Sequence, residues 1–323
     1  MVRTGEGGDA DGQLRGGGGV QRLRPGPVER AGPDGVPADR EPARRGGPDA
    51  DRPAPGALRR ARRGCPCGSG PWWCCATGGT SPRRRSPPQY DDPKYAAYGF
   101  PVLTLYAGGQ SNGYNTWANE QLPVQEIDAQ LVQQQKAHPF IMIMPVQNLT
   151  SDVERSLDCS DIPGQPRMGT WLSEDVPDFV RANFRTLEGR DSWGLLGVSN
   201  GAFCSAKLAL QRPDLYKAAA LVDGYFKPDS TLWKGHEAEQ AANSPDVLVG
   251  QGKADVRLLA TAGGANAFEA ELVKDWAARA AAPTTVEYYE QPGGQHLTVD
   301  FAKMIPKALE WLTANLAGPQ SDG

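Results

Sequence analysis

The sequence predicts an α/β fold with a mostly parallel central sheet and helices on both faces, and three observations lead to this prediction. Short apolar runs bounded by glycine or proline recur from about residue 88 onward, as buried strands do. Amphipathic stretches with helical spacing follow several of these runs. Strands that alternate with helices favour parallel pairing in a sheet covered on both sides.

Six segments are predicted as strands, five of them from apolar runs and the last from alternating apolar and polar residues. In chain order they are 100–109 (FPVLTLYAGG), 139–146 (PFIMIMPV), 192–198 (SWGLLGV), 216–224 (YKAAALVDG), 254–262 (ADVRLLATA) and 284–291 (TTVEYYEQ). Ligands of open parallel sheets bind at the carboxyl ends of the strands. We therefore expect the glycine-rich loops at 107–113, 197–201 and 293–295 to meet at one edge.

Four segments have helical spacing of apolar residues: 170–184, 202–212, 268–281 and 301–316. Pro177 predicts a kink or a first-turn position in the first of them. Pro213 ends the second, and Pro306 is expected early in the last. A loop rich in Gly, Pro and Ser, about 147–169, precedes the first of these helices.

The first 87 residues form a Gly-, Pro- and Arg-rich segment without Lys, Ile, Phe, Asn or Tyr. Such a segment has too few large apolar groups to offset chain entropy. We therefore predict a disordered tail over 1–87 and a folded domain over 88–323. Its composition also resembles GC-rich sequence read from a wrong start or frame, so an alternative is that the tail is not native.

Charge and hydropathy bear on the partners. The formal net charge is −4, which gives no reason to expect nucleic acid or an anionic membrane. The arginine run 83–85 allows an RNA- or phosphate-binding tail, but a solvated tail is the plainer interpretation. No apolar window of spanning length and no signal-peptide pattern occurs in the chain as written, so we expect no membrane insertion and leave the compartment open.

The six cysteines fall into two groups. Cys65, Cys67, Cys74 and Cys75 lie in the tail, without a nearby His and at a spacing that matches no common zinc site, so no metal is expected. Cys159 and Cys204 lie in the predicted domain. They either form a disulfide, or Cys204 is a buried apolar thiol on a helix.

The segment Gly197-Val198-Ser199-Asn200-Gly201 directly follows an apolar strand and opens a helix. This is the strand–turn–helix setting of a nucleophile elbow, in which small residues must flank the serine. The peptide N–H of Asn200 then faces the same space, where it can stabilise an oxyanion. A plain helix N-cap serine is the alternative.

A serine nucleophile needs a base, and the chain has three histidines. His138 precedes a strand and His236 lies in a polar stretch, whereas His296 directly follows the last predicted strand in a glycine-containing loop. His296 also comes after Ser199, as the hydrolase order of serine, acid and histidine requires. We therefore predict His296 as the base, with an ordinary surface histidine as the alternative.

The acid and the second oxyanion donor are chosen from loops. The loop after the strand 254–262 offers Glu269 as the first choice and Glu271 as the second, with Asn266 where an Asp often stands. Asp223, after the strand 216–224, is the third choice because some hydrolases take their acid from that strand. A helix N-terminal carboxylate stabilised by the dipole is the alternative for any of them. Gly109, followed by Gly108, is the predicted second donor of the oxyanion hole.

With these residues placed, the chain from about Pro88 onward resembles the esterase D / antigen 85 (mycolyltransferase-like) family of α/β-hydrolases. The segments that resemble it are LYAGGQSNGYNTW, GTWLSEDVPDFVRANF, the elbow with its helix and next strand, and PGGQH. The resemblance implies the α/β-hydrolase fold, Ser199 as nucleophile, His296 as base and a Glu near 269–271. It also suggests an exported protein.

The chain departs from the mycolyltransferases at Ala107, where they carry an Asp, and no Arg follows in that loop. We therefore predict a serine carboxylic-ester hydrolase of small-molecule esters, with no cofactor. An acyltransferase to a sugar or lipid alcohol is one alternative. A non-catalytic binding protein of the same fold is the other.

Overall fold

The computed structural model of the chain describes residues 88–109, 117, 120–149 and 152–321. The predictions for the tail 1–87, with its arginine run and four cysteines, lie outside the described residues, as does most of the loop after the first predicted strand. The domain boundary at residue 88 therefore stays a prediction.

The strands of the described residues form one large sheet and one short pair. In chain order they are β1 (Tyr98–Gly99), β2 (Val102–Tyr106), β3 (Ile141–Ile143), β4 (Trp193–Val198), β5 (Ala218–Val222), β6 (Arg257–Gly263), β7 (Thr285–Gln291) and β8 (Gln320–Ser321). The large sheet has the order β3-β2-β4-β5-β6-β7, and every neighbouring pair in it is parallel. Strands β1 and β8 pair antiparallel. The predicted mostly parallel sheet is confirmed.

Helices fill the connections between these strands. In chain order the described α-helices are α1 (Pro88–Asp91), α2 (Val124–Gln133), α3 (Met168–Thr170), α4 (Val176–Asn183), α5 (Asn200–Gln211), α6 (Glu237–Ala242), α7 (Pro245–Leu248), α8 (Ala267–Ala278) and α9 (Thr298–Asn315). A π-helical turn, Trp171–Asp175, joins α3 to α4. Pro177 lies in the first turn of α4, which is one of its two predicted positions.

Each face of the large sheet has its own core because successive strand residues point to opposite sides. Leu195 belongs to a cluster that includes Phe203 of α5 and Trp276 of α8. Its neighbour Leu196 belongs to a second cluster, which includes residues of α2 and Leu309 of α9. Fully burying one such side chain contributes about 1.5–3 kcal/mol. The prediction of helices on both faces is confirmed.

Helix α2 is the main element that the sequence analysis did not predict. Its buried residues are Val124, Asp128 and Leu131, so its inward stripe carries a carboxyl group as well as two apolar side chains. The remaining residues are rich in Gln, and the apolar period is correspondingly weak. Tertiary packing in the second cluster, which includes residues of α9, stabilises this helix more than its own helix propensity does.

Helix α9 begins three residues earlier than predicted, at Thr298. Pro306 therefore lies in the middle of the helix, not early in it as expected. A proline there lacks the N–H that would bond to the preceding turn. Buried residues on either side of it, Ile305 and Ala308, keep the helix against the sheet.

A disulfide joins Cys159 to Cys204, with 5.7 Å between their Cα atoms. It is the first of the two alternatives for these residues, and it links the loop before α3 to the middle of α5. The Lys207 ammonium, one turn further along α5, donates to the Cys159 carbonyl at 2.8 Å. Burial lowers the pKa of Lys207 to about 7.

In the part of the chain that the structure describes, no helix is long and apolar enough to cross a bilayer.

Candidate active site

Ser199 lies in a sharp turn between β4 and α5, at the carboxyl edge of the sheet. Its φ of 53° and ψ of −117° are strained for a non-glycine residue. The Ser199 N–H donates to the Val222 carbonyl at 2.9 Å, which continues the β4–β5 ladder into the turn. The main chain of both strands therefore fixes this serine at the sheet edge.

The turn excludes side chains on both sides of the serine. A Cβ at Gly197 would lie 2.0 Å from the Gly201 carbonyl oxygen, and a Cβ at Gly201 would lie 1.8 Å from the Tyr106 carbonyl oxygen. Both obstacles are main chain, so neither can move aside without displacing a strand or the helix. The steric reason for predicting an elbow from the two glycines is thus present in the structure.

His296 lies in the loop between β7 and α9 and reaches the serine. Its Nε2 is 2.9 Å from the Ser199 Oγ. Two hydrogen bonds of the loop's main chain hold it in place. The Gly294 carbonyl accepts from the Ala265 N–H at 2.8 Å, and the Gln295 N–H donates to the Asp300 carboxylate at 3.0 Å. The structure therefore brings together the two side chains that the sequence analysis paired.

Asp223 directly follows β5, the strand beside β4, and has a φ of 50°. Its Oδ2 is 2.9 Å from the His296 Nδ1. Its Oδ1 accepts a hydrogen bond from the Gly263 N–H at 3.0 Å. The side chain is only 7% exposed, so this carboxylate is held from two sides in a largely dry environment.

The contacts of Asp223 determine the proton positions in this group. A carboxylate can only accept, so Nδ1 of His296 carries the proton and donates to it. In the neutral ring Nε2 is then an acceptor, and the Ser199 hydroxyl donates to it. The hydrogen bond to Asp223 is the main cause that raises the pKa of His296, and the charge of Glu269 raises it further, against desolvation.

The choice of Glu269 as the acid is corrected by this geometry, because Asp223 occupies the position beside the imidazole. Glu269 is exposed in the first turn of α8, where its N–H donates to the capping side chain of Asn266 at 3.3 Å. Glu271, the second choice, is an exposed partner of Lys274 at 3.3 Å. The third choice of the sequence analysis, Asp223, is therefore the one that the structure brings to the site.

The other two histidines lie elsewhere. The main-chain N–H of His138 donates to the Thr313 hydroxyl at 3.0 Å, and a Cβ on Gly318 would come within 2.7 Å of the His138 ring. These contacts place His138 near the carboxyl end of α9. His236 precedes α6. The position of His138 agrees with the reason for setting it aside, and the nitrogen that reaches Ser199 belongs to His296.

The candidate oxyanion donors are main-chain groups. Asn200 is the first residue of α5, so its N–H is among the four that have no acceptor within the helix. The loop after β2 comes close to the serine, since a Cβ at Gly108 would lie 3.4 Å from the Ser199 Cβ. Gly109 has a φ of 69° and open space where a Cβ would stand.

Among the described residues, no cluster of His, Cys, Asp and Glu could hold a metal ion.

A nucleophile elbow at the carboxyl edge of a parallel sheet, with helices on both faces, defines the α/β-hydrolase superfamily. The sequence model of the family described as "Putative esterase" matches residues 83–312, which is most of the chain. The chain belongs to this family. The predicted membership of an esterase family with the α/β-hydrolase fold is thereby confirmed, and the closer likeness to antigen 85 stays a prediction.

Similar solved structures have the same fold. A ferulic acid esterase matches with a TM-score of 0.55 at 17% identity, over 68% of this chain and 86% of its own. An S-formylglutathione hydrolase from Agrobacterium tumefaciens matches with a TM-score of 0.55 at 16% identity, over 70% of this chain and 87% of its own. A fluorophosphonate-binding serine hydrolase of Staphylococcus aureus matches with a TM-score of 0.53 at 18% identity, over 72% of this chain and 89% of its own. At these identities the likeness shows the fold alone.

A similar curated protein is an uncharacterized protein of Corynebacterium glutamicum. It is 27% identical over 99 residues, which are 28% of this chain and 23% of that protein. The match thus spans about a quarter of that relative's length.

Proposed function

We propose that this protein is a serine carboxylic-ester hydrolase that works through an acyl-enzyme. Ser199 is the nucleophile, His296 is the general base, and Asp223 is the acid that orients the base. The observation that carries the proposal is the continuous chain of two hydrogen bonds, each 2.9 Å, from the Ser199 Oγ through the imidazole to the Asp223 carboxylate. Its members come from three different loops at one sheet edge.

In the first half of the reaction, Ser199 Oγ attacks the ester carbonyl while His296 Nε2 removes its proton. The imidazolium that forms is stabilised by Asp223 and then gives the proton to the departing alkoxide. An acyl group remains on the serine as an ester. In the second half, water attacks this ester, His296 takes the proton of the water, and the proton returns to Ser199 as the carboxylic acid leaves.

The negative oxygen of each tetrahedral intermediate needs donors that are already oriented. We assign this role to the peptide N–H groups of Asn200 and Gly109. The N–H of Asn200 lies at a helix N-terminus, where the dipole also favours negative charge. Release of the acyl group to an alcohol would make the same site an acyltransferase, and that alternative stays a prediction.

The proposal is tested by covalent labelling. A fluorophosphonate probe is expected to add one phosphonyl group to the wild-type protein, and peptide mapping should find it on Ser199. The Ser199→Ala variant should remain unlabelled under the same conditions. A label on any other residue, or a wild-type protein that takes no label and hydrolyses no p-nitrophenyl ester, would overturn the assignment.

The pH dependence of the reaction follows from the raised pKa of His296. The base must be neutral, so kcat/KM should rise with pH and level off once the imidazole has lost its proton. Because Asp223 raises the pKa of His296, the midpoint should lie above the ordinary value of 6.5. The measurement is kcat/KM for a p-nitrophenyl ester at constant ionic strength. A midpoint below 6.5 would contradict the contact with Asp223.

A further inference from the structure

Gln147 is a buried amide side chain in the loop after β3, and the sequence analysis did not single it out. It is 7% exposed and lies beside two segments that are distant in the sequence. Its Oε1 accepts from the Ala107 N–H at 2.7 Å, and its Nε2 donates to the Ala107 carbonyl at 2.8 Å. Its Nε2 also donates to the Asn200 Oδ1 at 2.9 Å.

These three contacts use both N–H donors and the carbonyl oxygen of the glutamine amide. The orientation of the amide is also fixed, because Ala107 offers it one donor and one acceptor. A reversed amide would point its NH₂ group at the Ala107 N–H. The Gln147 amide therefore binds both main-chain polar groups of Ala107, as the main chain of an adjacent strand would.

The two segments that Gln147 joins are those that supply the proposed oxyanion donors. Ala107 lies between the end of β2 and Gly108-Gly109, and Asn200 opens α5. The Asn200 side chain is fixed at its other end, since its Nδ2 donates to the Tyr225 hydroxyl at 2.6 Å. The Tyr225 ring in turn stacks on Phe203 of α5, with 5.5 Å between ring centroids.

We propose that Gln147 is a positioning residue that sets the distance and orientation between the Gly109 and Asn200 peptide N–H groups. This inference rests on the proposed function, because an oxyanion hole is needed only if Ser199 attacks a carbonyl. Gln147 is buried and contacts both segments, so it acts through them and not on the substrate. Its loss should therefore reduce stabilisation of the transition state more than it reduces substrate binding.

The test compares the same isosteric change at two glutamines. Gln147→Glu keeps the shape and the acceptor but removes the two N–H donors. Gln211→Glu is the matched control, because the Gln211 Nε2 also donates to a main-chain carbonyl and to an amide oxygen, those of Ala242 and Asn243, each at 3.1 Å and at the end of α5 opposite Ser199. Thermal melting of both variants measures the cost of each new carboxyl group.

Gln147→Glu is expected to lower kcat by about 10- to 100-fold, below the full loss of one oxyanion donor, with KM changed less than about threefold. Gln211→Glu should keep kcat within about threefold of wild type. The inhibition constant of phenylboronic acid, which forms a tetrahedral adduct on a serine oxygen, should rise with Gln147→Glu by roughly the factor that kcat falls.

A wild-type kcat in Gln147→Glu would overturn the inference, and so would an equal loss in both variants or a loss confined to KM. If Gln147→Glu does not fold, Asn200→Ala applies the same test, because it removes the Oδ1 acceptor and keeps the peptide N–H. Asn200→Ala should lower kcat at least about fivefold, and an unchanged kcat would overturn the inference. If wild type neither takes the fluorophosphonate label nor turns over ester, both proposals fail. If it does both, a negative result concerns Gln147 alone.

Discussion

Replacing Ser199 by alanine is expected to lower the hydrolysis of a short p-nitrophenyl ester by roughly 10⁴- to 10⁶-fold and to leave the fold intact. The change removes the hydroxyl oxygen that lies 2.9 Å from the His296 Nε2. Without it no acyl-enzyme can form, although the oxyanion donors and the base remain. A single hydrogen bond at a half-exposed imidazole contributes about 1 kcal/mol or less to stability, so the melting temperature should change little.

Ser205→Ala is the matched control for this experiment. It makes the same chemical change on the same helix, at a fully buried hydroxyl that has no hydrogen-bond partner among the described residues. Its turnover should stay close to that of wild type. Substantial turnover in Ser199→Ala, measured on protein that melts like wild type, would rule out Ser199 as the nucleophile.

The sheet was predictable mainly because five of its six strands are buried along almost their whole length, while the edge strand β7 was predicted from its alternating pattern. A parallel strand covered on both sides has a nearly continuous apolar sequence, and each of the six predicted segments overlaps a strand. The elbow was predictable for a steric reason, since the turn tolerates only glycine at 197 and 201. Helix α2 was not predicted because its buried stripe includes Asp128.

The proposed acid could not be chosen from the sequence because the choice depends on strand order. Asp223 follows β5, which pairs directly with the serine strand β4, whereas the loop with Glu269 follows β6, one strand further away. Both loops carry a carboxylate shortly after an apolar run, so local sequence does not separate them. The sequence feature that favoured Asp223 was its position directly after the apolar run AAALV.

Gln147 was missed for a related reason. Nothing in its own segment distinguishes it from the polar residues of an ordinary loop. Its role in the structure depends on contacts 40 residues back, with Ala107, and 53 residues ahead, with Asn200. Contacts over such separations arise only when β2, β3 and β4 are assembled side by side in the sheet.

Replacing Asp223 by asparagine is expected to lower kcat/KM by about 10³- to 10⁴-fold, whereas Glu269→Gln should change it by less than about threefold. The amide introduced at position 223 can still accept from the Gly263 N–H, so the fold should persist. It cannot stabilise an imidazolium. If its NH₂ group faces Nδ1, it also favours the tautomer in which Nε2 carries the proton and cannot accept the serine proton.

The pH profiles of the two variants separate the two carboxylates. Asp223 is the first cause of the raised pKa of His296 and the charge of Glu269 is a lesser one, so both changes should move the acid-side midpoint to lower pH, Asp223→Asn by more. The measurement is kcat/KM for the p-nitrophenyl ester across that limb, with residual activity followed at high enzyme concentration. A large loss in Glu269→Gln beside near-normal activity in Asp223→Asn would return the acid to the loop after β6. It would also mean that the hydrogen bond between Asp223 and His296 has no part in catalysis.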